Sequence, residues 1–210
     1  MPLFFWQFVA IAGGYLLGSV SFAVLVSRVF GLNDPRSYGS GNPGATNVLR
    51  SGSKAAAIAV LVLDVLKGWL PVALVNDLGP GLGLGPGSGA AALTGLAAFL
   101  GHLYPVFFGF KGGKGVATAL GVVLALSPWL ALAALVVFGI VLAATRYVSL
   151  ASMAAAVAVP LLMLLPGPWP HGGMSIVALL IMAGLLIWRH RANIERLRAG
   201  TEAKFGSKKA

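Results

Sequence analysis

The feature that most limits how this chain can fold is a series of long apolar runs almost without charge. From Leu3 to Ser27 no charged side chain occurs. A helix needs about 20 apolar residues to cross a hydrocarbon layer, and in lipid only helices and closed barrels satisfy their own backbone. Six more runs follow: Ala55 to Val75, interrupted by Asp64 and Lys67, then Gly89 to Phe110, Val116 to Leu126, Trp129 to Thr145, Val148 to Leu165 and Ser175 to Trp188. Val116 to Leu126 is short. Ser127-Pro128 then reads as a helix cap with a first-turn proline that restarts the chain. The first run is too long for a signal-peptide core and has no basic residue before it, so it reads as a retained helix.

Composition agrees. Of 210 residues, 58% are hydrophobic and 10% charged, whereas soluble domains carry about 25% charged residues. That excludes a soluble enzyme and a disordered tail, and the lack of cysteine excludes a disulfide scaffold. The expectation is an all-α integral membrane protein with seven transmembrane helices. The net charge of +10 then reads as positive-inside bias and attraction to anionic lipids or substrates, not as a nucleic-acid surface.

Seven spans with the N-terminus outside and the C-terminus cytoplasmic place 14 of the 15 basic residues inside, with only Lys67 in a span. Removing one helix would put Lys111 and Lys114 beside the outer loops, against that bias. The outer loops, Asn76 to Ser88, Ser127-Pro128 and Pro166 to Gly173, contain no Lys or Arg. Gly79 to Gly89 reads as a flexible connector, and the chain shows no obvious internal repeat. Residues 1–210 read as one transmembrane domain with cytoplasmic motif segments 31–54, 101–118, 146–152 and 189–204.

Polar chemistry gathers in those segments. In Gly39-Ser-Gly-Asn-Pro-Gly-Ala-Thr-Asn-Val-Leu-Arg50, small residues, hydroxyls and amides precede a guanidinium, the chemistry of an anion nest. Gly39, Gly41 and Gly44 spell a dinucleotide fingerprint, but a membrane helix precedes them where a strand is required. Phe110-Lys-Gly-Gly-Lys-Gly-Val-Ala-Thr118 leads two ammonium groups and several glycines into a helix start, where a phosphate is well received. It is no Walker loop, since Gly115 stands at the Ser/Thr position. His102 reads as a hydrogen-bonded structural histidine. If the last span continues as a helix, His190 and Asn193 share a face. Ser149 and Ser152 fit either packing or function. Asp64 and Lys67, at i and i+3 within a span, read as a structural pair, although charges there default to function. Glu195 and Glu202 sit among basic residues, so neither reads as half of an acid/base pair. No metal-ligand spacing occurs and no cofactor is expected. Two classes remain: a membrane enzyme that joins a phosphorylated substrate to a lipidic one, and a phosphate-coupled transporter. Transporters place their site at the midplane, whereas these motifs lie at one face.

Three runs closely resemble the bacterial acyl-phosphate:glycerol-3-phosphate acyltransferases of the PlsY type. They are Ser40 to Arg50, Gly101 to Pro105 with Phe110 to Thr118, and Arg189 to Lys204. The resemblance extends to Leu63 to Gly68 and Arg146 to Ser149, nearly the whole chain. It implies a multi-pass enzyme of the bacterial inner membrane with its active site facing the cytoplasm. Such an enzyme acylates the 1-position of glycerol 3-phosphate from acyl phosphate, giving lysophosphatidic acid. The His-x-x-x-x-Asp signature of thioester-using glycerolipid acyltransferases is absent; His190 to Glu195 has the wrong acid. The resemblance puts a phosphate pocket at Ser40, Thr46 and the backbone of Gly112, Gly113 and Gly115, and extends substrate binding to Asn42, Asn47 and Lys114. It puts glycerol-phosphate contacts at Arg50, Lys111, Ser149, His190 and Asn193, with Lys111, Ser149, His190 and Asn193 as the catalytic set. Either a substrate phosphate or His190 serves as base. Membrane lipids are expected partners, and a soluble acyl-phosphate synthase is a candidate partner of the basic face.

Overall fold

The computed structural model describes residues 3–85, 89–169 and 172–206. Among them the chain is helical, with no strand: α1 Leu3–Gly18, α2 Phe22–Val29, α3 Ala45–Val48, α4 Lys54–Leu78, α5 Ala90–Leu103, α6 Val116–Leu126, α7 Pro128–Thr145, α8 Val148–Leu162, α9 Gly173–Arg189 and α10 Arg191–Arg198. Parts of two expected outer loops (86–88, 170–171) and the tail end with Lys208 and Lys209 lie outside the described residues. By length and apolarity Lys54–Leu82 (α4 with the turn after it), Ala90–Phe108 (α5 with the turn after it) and α7 could each cross a membrane. The bent pairs α1/α2 and α9/α10 raise the number to five, while α6 and α8 are shorter apolar helices.

Several spans differ from the sequence expectation. The first is not one rod: α1 and α2 meet at a 42° bend. The break frees the Val20 carbonyl, which accepts a hydrogen bond from Lys67 Nζ at 2.8 Å. An otherwise costly interruption is thereby satisfied inside the protein. The third span changes character before its end: Pro105 cannot continue the α5 hydrogen-bond ladder, a 3₁₀ turn at Val106–Phe108 follows, and together they run from Ala90 to Phe108, close to the expected end at Phe110. The sixth ends at Leu162, short of Leu165. α6 occupies the expected residues, and α7 starts as the Ser-Pro pair suggests, with Ser127 Oγ accepting from the Leu130 N–H at 3.3 Å. At the start of α4 Ser53 does the same for Ala56.

The chain divides into two compact units, Met1–Leu126 and Ser127–Ala210. In the first, glycines let backbones touch. Gly18 of α1 lies against the Ala98 carbonyl of α5, and Gly101 of α5 against the Tyr15 carbonyl of α1. Gly68 of α4 meets the Thr118 carbonyl of α6, and Gly121 of α6 the Val65 carbonyl of α4. A Cβ at any of these four positions would collide with backbone, so each pair approaches as closely as small-residue contacts in membranes allow. Phe99, Leu103 and Val122 are fully buried in this unit. In the second unit α8 packs on α7 and α9, burying Leu130, Ala151, Leu179 and Leu186. Outward faces stay apolar, as at Ile58 of α4 and Leu132, Val136 and Ile140 of α7. Such surfaces suit lipid, not water.

Candidate active site

In the first unit, two loops carry the expected anion-binding residues. Asn47, on the one-turn helix α3, is buried and organises the first loop. Its Nδ2 donates to the carbonyls of Pro35 (2.6 Å) and Tyr38 (3.1 Å), and its Oδ1 accepts from the Ser40 N–H (3.0 Å). Gly39 must be glycine: its φ is +59°, and a Cβ would strike Asn47 Oδ1 and press on the Arg50 side chain. Ser40, Thr46 and Arg50 are exposed on this frame, while Asn42 is half-buried. Asn47 therefore shapes the loop, whereas Ser40, Thr46 and Arg50 present groups at its surface. Earlier in the same segment Asp34 accepts from the Arg36 backbone N–H (2.9 Å) and from its Nη2 (2.7 Å). Hydrogen bonding to Arg36 holds the Asp34 carboxyl below its ordinary value.

The second loop begins where Pro105 ends α5. Gly109 and Phe110 both adopt left-handed conformations, and Phe110 is one of only two non-glycine residues described that do so. This turn delivers Lys111, exposed, with its N–H donating to the Phe108 carbonyl at 3.3 Å. Gly112, Gly113 and Gly115 are buried, and Lys114 is half-buried. The Gly113 N–H donates to the His102 carbonyl at 3.1 Å. A Cβ on Gly113 would lie 3.0 Å from the Pro43 carbonyl, so the two loops touch. Arg36 reinforces this, with its guanidinium 6.0 Å above the Phe108 ring.

In the second unit the final helix does not continue. α9 and α10 meet at 55° with His190 between them, so the condition of a continuous helix from the last span into the tail is not met. His190 is buried, and its Nδ1 lies 2.8 Å from the Leu186 carbonyl. A carbonyl only accepts, so Nδ1 carries the hydrogen of this contact. Asn193 is also buried.

Glu202, which in the sequence reads as one acid among bases, gathers donors from three residues in the structure. Its Oε1 accepts from Ser149 Oγ and from Asn193 Nδ2, each at 2.6 Å, and its Oε2 accepts from Arg196 Nε at 2.7 Å. Burial raises the Glu202 carboxyl, but hydrogen bonds from Ser149, Asn193 and Arg196 outweigh it and hold the group below its ordinary value. Ser152, by contrast, donates back to the Val148 carbonyl of its own helix, a packing role. The tail reaches Ser149 because Gly200, at φ +69°, turns it after α10. Arg146, at φ +61°, then clasps it: Nη2 donates to the Phe205 carbonyl at 2.9 Å, and the Phe205 N–H donates to the Arg146 carbonyl at 2.7 Å. Lys204 lies 5.8 Å above the Tyr147 ring.

Apolar helix faces joined by glycine-and-cation loops define an integral membrane protein. The chain belongs to the glycerol-3-phosphate acyltransferase family, whose model matches residues 8–200. It is 58% identical to the glycerol-3-phosphate acyltransferase of Albidiferax ferrireducens, over 97% of this chain and 91% of that one. To the enzyme of the same name from Paraburkholderia phytofirmans it is 57% identical, over 93% and 89%. Among solved structures it is similar to PlsY (YgiH), an integral membrane glycerol 3-phosphate acyltransferase. The glycerol 3-phosphate form gives a TM-score of 0.86 at 42% identity, covering 95% of this chain and 96% of that one. The lysophosphatidic acid form of PlsY gives 0.84 at the same identity, with 95% of each chain covered.

Proposed function

We propose that this acyltransferase takes its acyl group from acyl phosphate and delivers it to the 1-position of sn-glycerol 3-phosphate, releasing lysophosphatidic acid and phosphate. It works in the bacterial inner membrane with its motif loops facing the cytoplasm. The observation that carries the reading is the pair of touching loops, Ser40–Arg50 and Lys111–Gly115, in which glycines, hydroxyls and cations meet. The forms in which the PlsY structures were solved, with glycerol 3-phosphate and with lysophosphatidic acid, support the acceptor and the product.

In the reaction, the 1-hydroxyl oxygen attacks the carbonyl carbon, and the bond from that carbon to the phosphate oxygen breaks. Phosphate leaves with the electron pair and takes up the hydroxyl proton. Because the leaving group is good, the protein's work is positioning and charge stabilisation. Ser40, Thr46 and the backbone of Gly112 to Gly115 receive the donor's phosphate, with Lys114 adding charge and Asn42 and Asn47 shaping the loop. Arg50 and Lys111 hold glycerol phosphate. Ser149, His190 and Asn193 orient the acceptor, and a substrate phosphate serves as base.

Purified protein offered acyl phosphate or an acyl thioester tests the donor. Acylated glycerol phosphate should form from acyl phosphate alone. Product from the thioester, or phosphate uptake into liposomes without product, would overturn the reading.

Seven crossings with an outside N-terminus complete the proposal, with α6 and α8 as short spans. Cysteines placed at Ser40, Lys114 and Ala199 should resist an impermeant thiol reagent in intact cells, and one at Gly85 should react. External labelling at position 114 would refute the α6 crossing.

A further inference from the structure

Beneath the second loop lies a polar cluster that the mechanism above does not use. Asp64 and Lys67 of α4 form an ion pair at 2.8 Å, with side chains 4% and 1% exposed. Holding two charges inside a membrane protein is costly, so such pairs call for a reason beyond packing. Lys67 has one, because it also satisfies the Val20 carbonyl at the α1/α2 break. The same Asp64 Oδ1 lies 3.7 Å from Nδ1 of buried His102, an electrostatic approach longer than a hydrogen bond, and that nitrogen is 3.2 Å from Thr118 Oγ1 of α6. At its other edge the ring meets the phosphate loop, since a Cβ added to Gly113 would fall on His102 Nε2. The Gly113 N–H is bonded to the His102 carbonyl as well, so main chain and ring of one residue hold the same glycine.

We propose that His102, its ring set by Asp64 and Thr118, is a positioning residue that fixes the height and tilt of the Gly112–Gly115 backbone for the donor's phosphate. The inference rests on the reading that this loop receives acyl phosphate. The ring touches no substrate; it acts through Gly113. Lys111 is tied to Phe108 instead, so glycerol phosphate binding is less sensitive to the ring.

The test compares wild type with His102→Gln and Thr118→Val. KM for each substrate, affinity for inorganic phosphate by calorimetry and Tm in detergent are measured. His102→Gln should raise KM for acyl phosphate about tenfold and weaken inorganic phosphate to a similar degree, with KM for glycerol 3-phosphate changed less than about threefold. Thr118→Val keeps every charge and nearly the same shape, so it should fold; it should move the same constants in the same sense by about threefold. Should His102→Gln fail to fold, Thr118→Val alone decides. A lower Tm with unchanged constants, or an equal rise in both KM values, would mean the cluster is only a staple and overturn the proposal. A wild type that binds inorganic phosphate yet ignores acyl phosphate would refute the donor reading alone. In that case phosphate affinities of the variants still test His102.

Discussion

Among the described residues each unit holds a carboxylate gripped by a guanidinium, Asp34 by Arg36 and Glu202 by Arg196, and the two are put to different use. Asp34 and Arg36 are two residues apart, their side chains are 38% and 34% exposed, and all their bonds close one turn. Glu202 is 9% exposed and spends only one oxygen on Arg196; the other gathers Ser149 and Asn193, 53 and 9 residues away. Similar chemistry thus trims a loop in one place and aims donors from a helix and a tail in the other. The difference lies in reach and burial. An exposed local pair is screened and competes with water, whereas a sheltered acceptor of several donors fixes them relative to one another.

Removing the acceptor should have the largest effect. Glu202→Ala leaves Ser149, Asn193 and Arg196 without their common partner, and bonds to charged groups contribute about 1.5–3 kcal/mol each. Because they act as a unit, the combined loss is expected at about 4 kcal/mol, roughly 10³-fold in kcat/KM. Glu202→Gln should recover part of it, since an amide carbonyl still accepts from Ser149 and Asn193. Acid should mimic the mutation. The folded Glu202 titrates below its ordinary value of 4.5, so its stabilisation is complete above that pH. It disappears as pH falls from there through the folded value. Wild type but not Glu202→Gln should show that extra acid-labile step in thermal unfolding, and identical acid limbs would break the contrast.

The same contrast explains what the sequence made legible. The first unit's loops could be read because Gly39 to Arg50 and Phe110 to Thr118 are contiguous: glycines, hydroxyls and cations stand together in the chain as in space. Helix identity was equally plain from apolar run length, since lipid demands it. Three things were hidden. The bend at Ser19–Ser21 depends on Lys67, far along the chain, to satisfy Val20. Asn47 reads as one more polar loop residue until its burial shows that it braces the loop. Glu202 matters only after Gly200 and the Arg146–Phe205 clasp turn the tail back on α8. The one available signal was Gly200 following a charged helix, which marks a C-cap and a reversal.

The middle of the range sharpens the two roles. Arg50→Ala and Lys111→Ala each remove a charge-assisted grip from the first unit and should cost about 2–3 kcal/mol, roughly 30- to 200-fold in kcat/KM for glycerol 3-phosphate. Exposed Arg198 is the control, and equal losses at Arg198→Ala would show that bulk charge matters, not a site. His190→Gln should cost less than about 100-fold, because an amide can still orient the acceptor, whereas a lost general base costs typically 10²–10⁴-fold. A near-background rate with a flat profile from about pH 5.5 to 8 would make His190 the base.

The smallest effect is expected at the other carboxylate. Asp34→Asn removes an ion pair of good geometry, with Arg36 Nε and Nη2 both donating to it. Geometry alone does not make it strong. Both side chains are more than a third exposed, water replaces what is lost, and exposed pairs contribute about 0.2–1 kcal/mol. Asparagine can still accept from the Arg36 backbone N–H and keep the turn. Arg36 also retains its place over Phe108, so the contact between the loops persists. Tm should therefore fall by no more than a few degrees and kcat/KM by less than about threefold. High salt should shrink even that difference, because only exposed charge is screened so readily. A loss at Asp34→Asn approaching that of Glu202→Ala, undiminished by salt, would mean that this pair also aims site residues, and the division between local and long-range carboxylates would fail.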